Sequence, residues 1–230
     1  MFSYYGSKSK IVDYYPPPKY GKIIEPFAGS ARYSLKYWDR DVTIVDKYDV
    51  VIDVWRFLQA SSEKDILQFL NLNLTYRLSD IVEKGTIEWK FLGFLTQAGQ
   101  GKPSDTRTMM SNFEEDIKRI SKEVFKIKKW NILLSDYMEL PNDEQTWFID
   151  PPYQFGGEHQ YRHNNKKIDF AKLAEWCKSR NGHTIVCENT KADWLPFKPM
   201  VDMKGTMYKT TEAIWSNIPT NYDNIQLKMF

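Results

Sequence analysis

Three observations predict an α/β fold of the wound-sheet kind. Short apolar runs resembling strands recur at residues 22–27, 42–46, 132–136, 146–150 and 183–189, helix-like segments follow several of them, and the first run feeds a turn of small residues. Alternating strands and helices suit a sheet whose two faces must both be covered. With 230 residues and 42% hydrophobic content, the chain can bury one substantial core, and any second free-standing domain would have to be small.

The first strand, Lys22-Ile23-Ile24-Glu25, runs into Pro26-Phe27-Ala28-Gly29-Ser30-Ala31 and then a helix-like stretch from Arg32 to Trp38. Small residues at such a turn let a ligand approach the main chain, as in the nucleotide-binding loops of doubly wound sheets. The second strand, Thr43-Ile44-Val45-Asp46, ends in a carboxylate about where such folds place an acid on ribose hydroxyls. A further strand, Trp147-Phe148-Ile149, ends in Asp150-Pro151-Pro152-Tyr153. The clearest helix starts at Asp169 as N-cap, carries Phe170, Leu173, Ala174 and Cys177 on one face and stops at Asn181-Gly182. It leads into the strand His183-Thr184-Ile185-Val186-Cys187. Residues 200–205 and 210–216 read as paired strands, and 225–230 as a final one. Between the second strand and the third, residues 61–130 form an insertion. There Asp65 to Leu70 and Phe113 to Trp130 look helical, whereas Thr96 to Ser104 lacks apolar periodicity and reads as a loop. Tyr76 and Trp89 are expected in the core.

The formal net charge is only +2, so any nucleic-acid surface must come from local clustering of cations. Lys118, Arg119, Lys122, Lys126, Lys128 and Lys129 are interleaved with Glu114, Glu115, Asp116 and Glu123, which favours a solvated helix face. Arg162-His163-Asn164-Asn165-Lys166-Lys167 has few acids nearby and follows the Asp150 tetrapeptide, a position that favours phosphate contact. Cys177 and Cys187 fit neither a disulfide framework nor a metal pair, which implies a reducing compartment. His159, His163 and His183 show no metal spacing, and His183 is expected to be structural. No leader and no membrane-length apolar run is seen, so a soluble, cytoplasmic protein that needs no metal is expected.

The tetrapeptide brings a carboxylate, a stiff turn and an aromatic ring out of one strand end. Proline donates no N–H and fixes φ, so the turn is rigid and the Pro151 carbonyl is free to accept. Two acceptors, Asp150 and the Pro151 carbonyl, suit a planar exocyclic amine: holding its hydrogens favours the pyramidal nitrogen needed to attack a methyl donor. Tyr153 could stack on the attached ring. The role does not require unusual acidity of Asp150.

In combination these motifs resemble the Dam-like DNA adenine-N6 methyltransferases, in their α-type motif order. The segment Phe2 to Ile11, with Tyr4, Gly6 and Lys8, looks like that family's first motif, which lies on S-adenosyl-L-methionine. Glu25-Pro26-Phe27-Ala28-Gly29, with Ser30, resembles its cofactor loop, Asp46 its ribose-binding acid, Ser135-Asp136-Tyr137 the acid near the cofactor adenine, and Asp150-Pro151-Pro152-Tyr153 its catalytic tetrapeptide. The family often has Gly where this chain has Ala31. Thr211 to Asn217 resembles its last motif, for which only strand identity is carried over.

The resemblance implies a Rossmann-like S-adenosylmethionine-dependent methyltransferase sheet, formed by residues 1–60 and 131–230, with helices on both faces. The mostly helical insertion at 61–130 would recognise the target. It implies methyl transfer to N6 of an adenine flipped out of double-stranded DNA. Gln97, Gln100, Lys102, Arg107 and Asn112 could read base edges or phosphates, and Arg162, Lys166 and Lys167 could hold the backbone. Adenine methylation in RNA and a non-catalytic nucleic-acid binder of the same fold stay open. The intact Lys8, Asp46 and Asp150 set speaks against the binder, and Asp150 speaks against cytosine-N4 methylation, whose tetrapeptide usually begins with Ser. A nicotinamide-linked dehydrogenase lacks its Gly-x-Gly-x-x-Gly spacing here.

Overall fold

The computed structural model describes all residues except 75, 98, 110, 157–160, 205–208 and 225–230. The expected strand at 225–230 therefore lies outside the described residues, as do His159 and the end of the expected strand 200–205.

The strands are β1 (Lys22–Glu25), β2 (Asp41–Asp46), β3 (Asn131–Leu134), β4 (Gln145–Ile149), β5 (Gly182–Asn189), β6 (Lys198–Lys204) and β7 (Lys209–Ser216). They form one seven-stranded sheet in the order β3-β2-β1-β4-β5-β7-β6. Pairing is parallel from β3 through to β5, and β7 runs antiparallel between β5 and β6. The central strand β4 is buried along its whole length, as expected for a parallel strand covered on both faces.

Successive residues along the strands supply two separate cores. Ile23, Ile44, Phe148, Ile185 and Cys187 point to one face, and Ile24, Val45, Trp147, Ile149 and Val186 to the other. The first face is covered by Tyr33 of α1 (Arg32–Lys36) and by Val51, Ile52, Val54, Trp55 and Leu58 of α2 (Asp49–Ala60). The insertion joins this same core through Ile66 of α3 (Glu63–Leu67), Phe91 of α4 (Ile87–Gly93) and Ile117 and Ile120 of α5 (Phe113–Glu123). It thus extends the helical layer and shares a core with the sheet. The second face is covered by Leu173, Ala174 and Cys177 of α6 (Phe170–Lys178). An Asp169 carboxylate oxygen accepts the Lys172 N–H at 3.1 Å, which caps α6 where the sequence places its start. The architecture is the wound α/β sheet with helices on both faces that the sequence predicts.

The basic residues around α5 are solvated and locally paired: Lys118 with Glu115 at 3.2 Å, Arg119 with Asp116 at 2.5 Å, Lys126 with Glu123 at 3.5 Å. Cys177 and Cys187 are free, buried thiols on opposite faces. Tyr76 is a correction. It is 68% exposed, because it lies on an irregular segment paired across Arg77 and Thr106, where its carbonyl accepts the Arg107 N–H and its ring faces outward. Trp89 is half-buried and donates Nε1–H to Asp105 at 3.0 Å. No helix among the described residues is long and apolar enough to cross a membrane.

The β1–α1 turn shows what the departure from the Gly-rich pattern costs. Ala31 sits at φ 44°, ψ 48°, a left-handed conformation that costs an L-residue roughly 1–2 kcal/mol. Glycine would relieve that strain but adds roughly 0.5–1 kcal/mol of unfolded-state entropy. Ala31→Gly should therefore leave stability unchanged or raise it by up to about 1 kcal/mol. A thermal melt showing a clear loss would contradict the strain.

Candidate functional site

Parallel strands leave their carboxyl ends on one edge, and a crevice opens where the strand order reverses, here between β1 and β4. A cavity of about 360 Å³ lies there. Tyr4, Gly6, Lys8, Glu25, Pro26, Phe27, Ala28, Gly29, Ser30, Asp46 and Asp136 all line it, with Asp150 and Pro152. Arg162 and Lys167 stand on its wall, exposed to solvent, and Lys166 is exposed beside them. Segments far apart in sequence meet at this place because the strand order puts the ends of β3, β2, β1 and β4 side by side.

The β1 loop is pinned from both sides. Trp55 Nε1–H donates to the Gly29 carbonyl at 2.9 Å, and the Gly29 N–H donates to Asp46 Oδ2 at 3.0 Å. Gly29 has φ 45°, which favours glycine, and a Cβ there would sit 2.8 Å from the Tyr4 ring, so space excludes any side chain at this position. Asp46 Oδ1 also accepts the Tyr48 N–H at 2.8 Å. Burial pushes this carboxyl up to about 6 against the opposing backbone N–H groups. Each of its oxygens keeps a lone pair for a further donor. At the end of β3, Asp136 receives Lys47 Nζ at 2.6 Å and the Met138 N–H at 3.1 Å. Burial alone would raise its pKa, but these two donors hold it below the usual range. Glu25 is buried and accepts the Ser34 N–H at 3.1 Å and the Ser34 hydroxyl at 2.7 Å. Burial pushes it up to about 8.

The second part of the site surrounds the tetrapeptide. Lys8 Nζ lies 2.9 Å from Asp150 Oδ1 and 3.5 Å from Glu212 Oε1, and it donates to the Tyr153 hydroxyl at 2.6 Å. The Tyr153 hydroxyl donates to Glu212, as does that of Tyr15 at 2.5 Å. Burial pushes Asp150 up to about 6, while Lys8 pulls it down and Glu212 adds to the rise. Burial by itself would lower the Lys8 pKa, but the Asp150 and Glu212 carboxylates more than offset this, and it is raised. Just beyond, Glu188 at the end of β5 accepts the Gln154 N–H at 2.5 Å and fixes the chain leaving the tetrapeptide.

Three features add to the sequence reading. Lys8, read as part of the cofactor-facing motif, reaches the wall but commits its ammonium to Asp150. Asp150, for which ordinary acidity suffices, has its pKa raised by burial. Tyr153, expected to offer its ring for stacking, is half-buried with its hydroxyl turned inward to Lys8 and Glu212. Glu212, Glu188 and Tyr15 were missed. The available signal was an acid within an apolar strand, Glu188 after Val186-Cys187 and Glu212 before Ala213-Ile214, since a buried carboxylate needs partners.

The insertion residues expected to read bases do not line the cavity. Gln97 Nε2–H donates to the Thr106 carbonyl at 3.0 Å, and Arg107 reaches both oxygens of Glu114 at 2.9 Å. Gln100 acts through its backbone, accepting the Tyr5 N–H at 3.2 Å and so tying the first motif to the insertion. Lys102 and Asn112 are exposed. Among the described residues no group of three or more His, Cys, Asp or Glu is placed to hold a metal ion.

The crevice between β1 and β4 and the parallel strands on either side of it define a Rossmann-like wound sheet, with the antiparallel β7 inserted between β5 and β6. No protein-family model matches the sequence, and no curated protein matches it. Among solved structures, the chain is similar to a candidate methylase from Haemophilus influenzae at 10% identity and a TM-score of 0.36, over 86% of this chain and 87% of the other. The fold assignment stands on the strand order itself.

Proposed function

We propose that this protein transfers a methyl group from S-adenosyl-L-methionine to N6 of an adenine flipped out of double-stranded DNA. The observation that carries the reading is the shared cavity: one wound-sheet crevice joins the β1 loop, Asp46 and Asp136 to the Asp150 tetrapeptide. Its residues fit the cofactor. Asp46 keeps acceptor capacity on both oxygens for a ribose diol, and the Phe27 and Tyr137 rings, with centroids 5.3 Å apart, give apolar surface for an adenine.

When bound, the cofactor supplies a methyl carbon on a sulfonium, and its transfer to the amine breaks the carbon–sulfur bond to leave a neutral thioether. Asp150 and the Pro151 carbonyl accept the two amine hydrogens and aim the nitrogen lone pair. Fixing that geometry is worth on the order of 7–11 kcal/mol in favourable cases. Once the nitrogen carries four bonds, it loses a proton. Asp150, at about 6, can take that proton and pass it to water. Arg162, Lys166 and Lys167 stand at or beside the cavity, where phosphates of an extruded nucleotide would pass, and extrusion costs a few kcal/mol that backbone contacts help to offset.

Titration calorimetry with S-adenosyl-L-methionine tests the reading. One molecule should bind per chain, and Asp46→Ala should weaken it by about 10-fold or more, as loss of a charge-assisted hydrogen bond would. A wild-type protein with no measurable binding would contradict it.

A further inference from the structure

Glu212 is contributed by β7, opposite Asn189 of β5, and comes from outside every motif that forms the cavity. It is 1% exposed. Its Oε1 takes the Tyr15 and Tyr153 hydroxyls and faces Lys8 Nζ at 3.5 Å, while its Oε2 has no hydrogen-bond partner among the described residues. One ammonium thus lies between two buried carboxylates, closer to Asp150 at 2.9 Å. A buried carboxylate oxygen without a donor is costly in the resting state, and a donor that reaches it during the working cycle accounts for its being kept.

We infer that Glu212 is a positioning residue: it receives Lys8 when the target amine takes Asp150, so that Asp150 is freed as an acceptor and Lys8 is kept from the amine. The inference rests on the methyl-transfer reading above. With Lys8 on Asp150 Oδ1, an incoming amine must compete with an ammonium for that carboxylate. Glu212 offers the ammonium an alternative carboxylate, one of whose oxygens has no partner among the described residues, so the ion never becomes an unpaired buried charge. Tyr153, bonded to both Lys8 and Glu212, links the movement to the tetrapeptide. No bond is made or broken, and the reaction itself is unchanged.

The charge environment gives an independent readout. Asp150 is faced by Lys8 and Tyr15 from the first segment, Glu25 from β1, Cys187 and Glu188 from β5, Glu212 from β7, and Tyr153 and Tyr161 from its own side. Of these, Glu212 is the acid that shares Lys8. Removing its charge should make Asp150 a stronger acid, because a neighbouring negative charge raises a carboxyl pKa.

The test is Glu212→Gln, which keeps an acceptor for both tyrosines and removes the charge, with Glu212→Asp alongside. Turnover should fall by about 10²-fold in Glu212→Gln, in line with a misplaced catalytic group, and the acid limb of its pH–rate profile should move to lower pH. Glu212→Asp should return the limb to its wild-type place whatever its turnover. In ¹³C NMR of aspartate-labelled protein, assigned with Asp150→Asn, the Asp150 carboxyl should titrate lower in Glu212→Gln than in wild type. Wild-type turnover in Glu212→Gln, or reduced turnover with the limb and titration unmoved, overturns the inference and leaves methyl transfer standing. A wild-type protein that transfers no methyl group overturns the parent reading, and this inference with it.

Discussion

Asp150→Ala is expected to lower methyl transfer by at least about 10²–10³-fold, the scale for loss of one preorganised polar group, while cofactor affinity stays near wild type. The separation follows from position. Asp150 meets the cavity at the end of β4, whereas the loop after β1, Asp46 and Asp136 sit on neighbouring strand ends and keep their own partners. The variant should also fold, because Lys8 retains Glu212 at 3.5 Å and the Tyr153 hydroxyl at 2.6 Å. Wild-type turnover would contradict the assigned role, and so would parallel loss of cofactor binding. The same carboxylate sets a pH limit. With burial pushing it up to about 6, it accepts hydrogen bonds above that pH and is protonated below, so turnover should fall as pH drops through 6. An acid limb near 4, the usual carboxylate range, would mean that another group is being titrated.

Lys8→Met should produce the largest loss of stability. The ammonium neutralises two buried carboxylates, Asp150 at 2.9 Å and Glu212 at 3.5 Å, and removing one partner from a buried ion pair costs about 3–5 kcal/mol. For a chain of this size that lowers the melting temperature by on the order of 10 °C. The pH dependence has a definite sign. Asp150, already raised to about 6 by burial while Lys8 pulls it down, titrates higher still without Lys8, so the folded state binds more protons than the unfolded one, and stability falls as pH rises through that window. The deficit relative to wild type should therefore be greatest at alkaline pH and narrow toward pH 5. A deficit that is constant with pH would mean that Lys8 stabilises by packing alone.

Legibility from sequence followed how local each signal was. Strand ends that carry their own chemistry were readable: Asp46 closes β2, Asp150 follows β4, and the small residues at 28–31 turn β1 into α1. The cap of α6 at Asp169 was equally local. Contacts made across the sheet were hidden. Lys8 lies in a segment without regular structure, and nothing in its neighbours tells that the segment crosses to Asp150 and not only to the cofactor loop. Glu212 reaches the same place because β7 enters antiparallel between β5 and β6, a choice of strand order that local sequence does not encode. Tyr153 illustrates the limit within a motif that was found: the tetrapeptide was recognisable, but the direction of the hydroxyl depends on Glu212. Gln97 and Arg107 are expected from chemical capability alone, and in the structure they bond the Thr106 carbonyl at 3.0 Å and Glu114 at 2.9 Å.

The most direct test incubates the purified protein with labelled S-adenosyl-L-methionine and unmethylated double-stranded DNA, with structured RNA in parallel, then digests each polymer and identifies the nucleosides by mass spectrometry. Labelled N6-methyldeoxyadenosine, lost in Asp150→Ala, is the result this account predicts. Label confined to RNA would keep the chemistry and contradict the substrate, and cofactor binding with no labelled nucleoside in either polymer would contradict the assignment of methyl transfer to the Asp150 tetrapeptide.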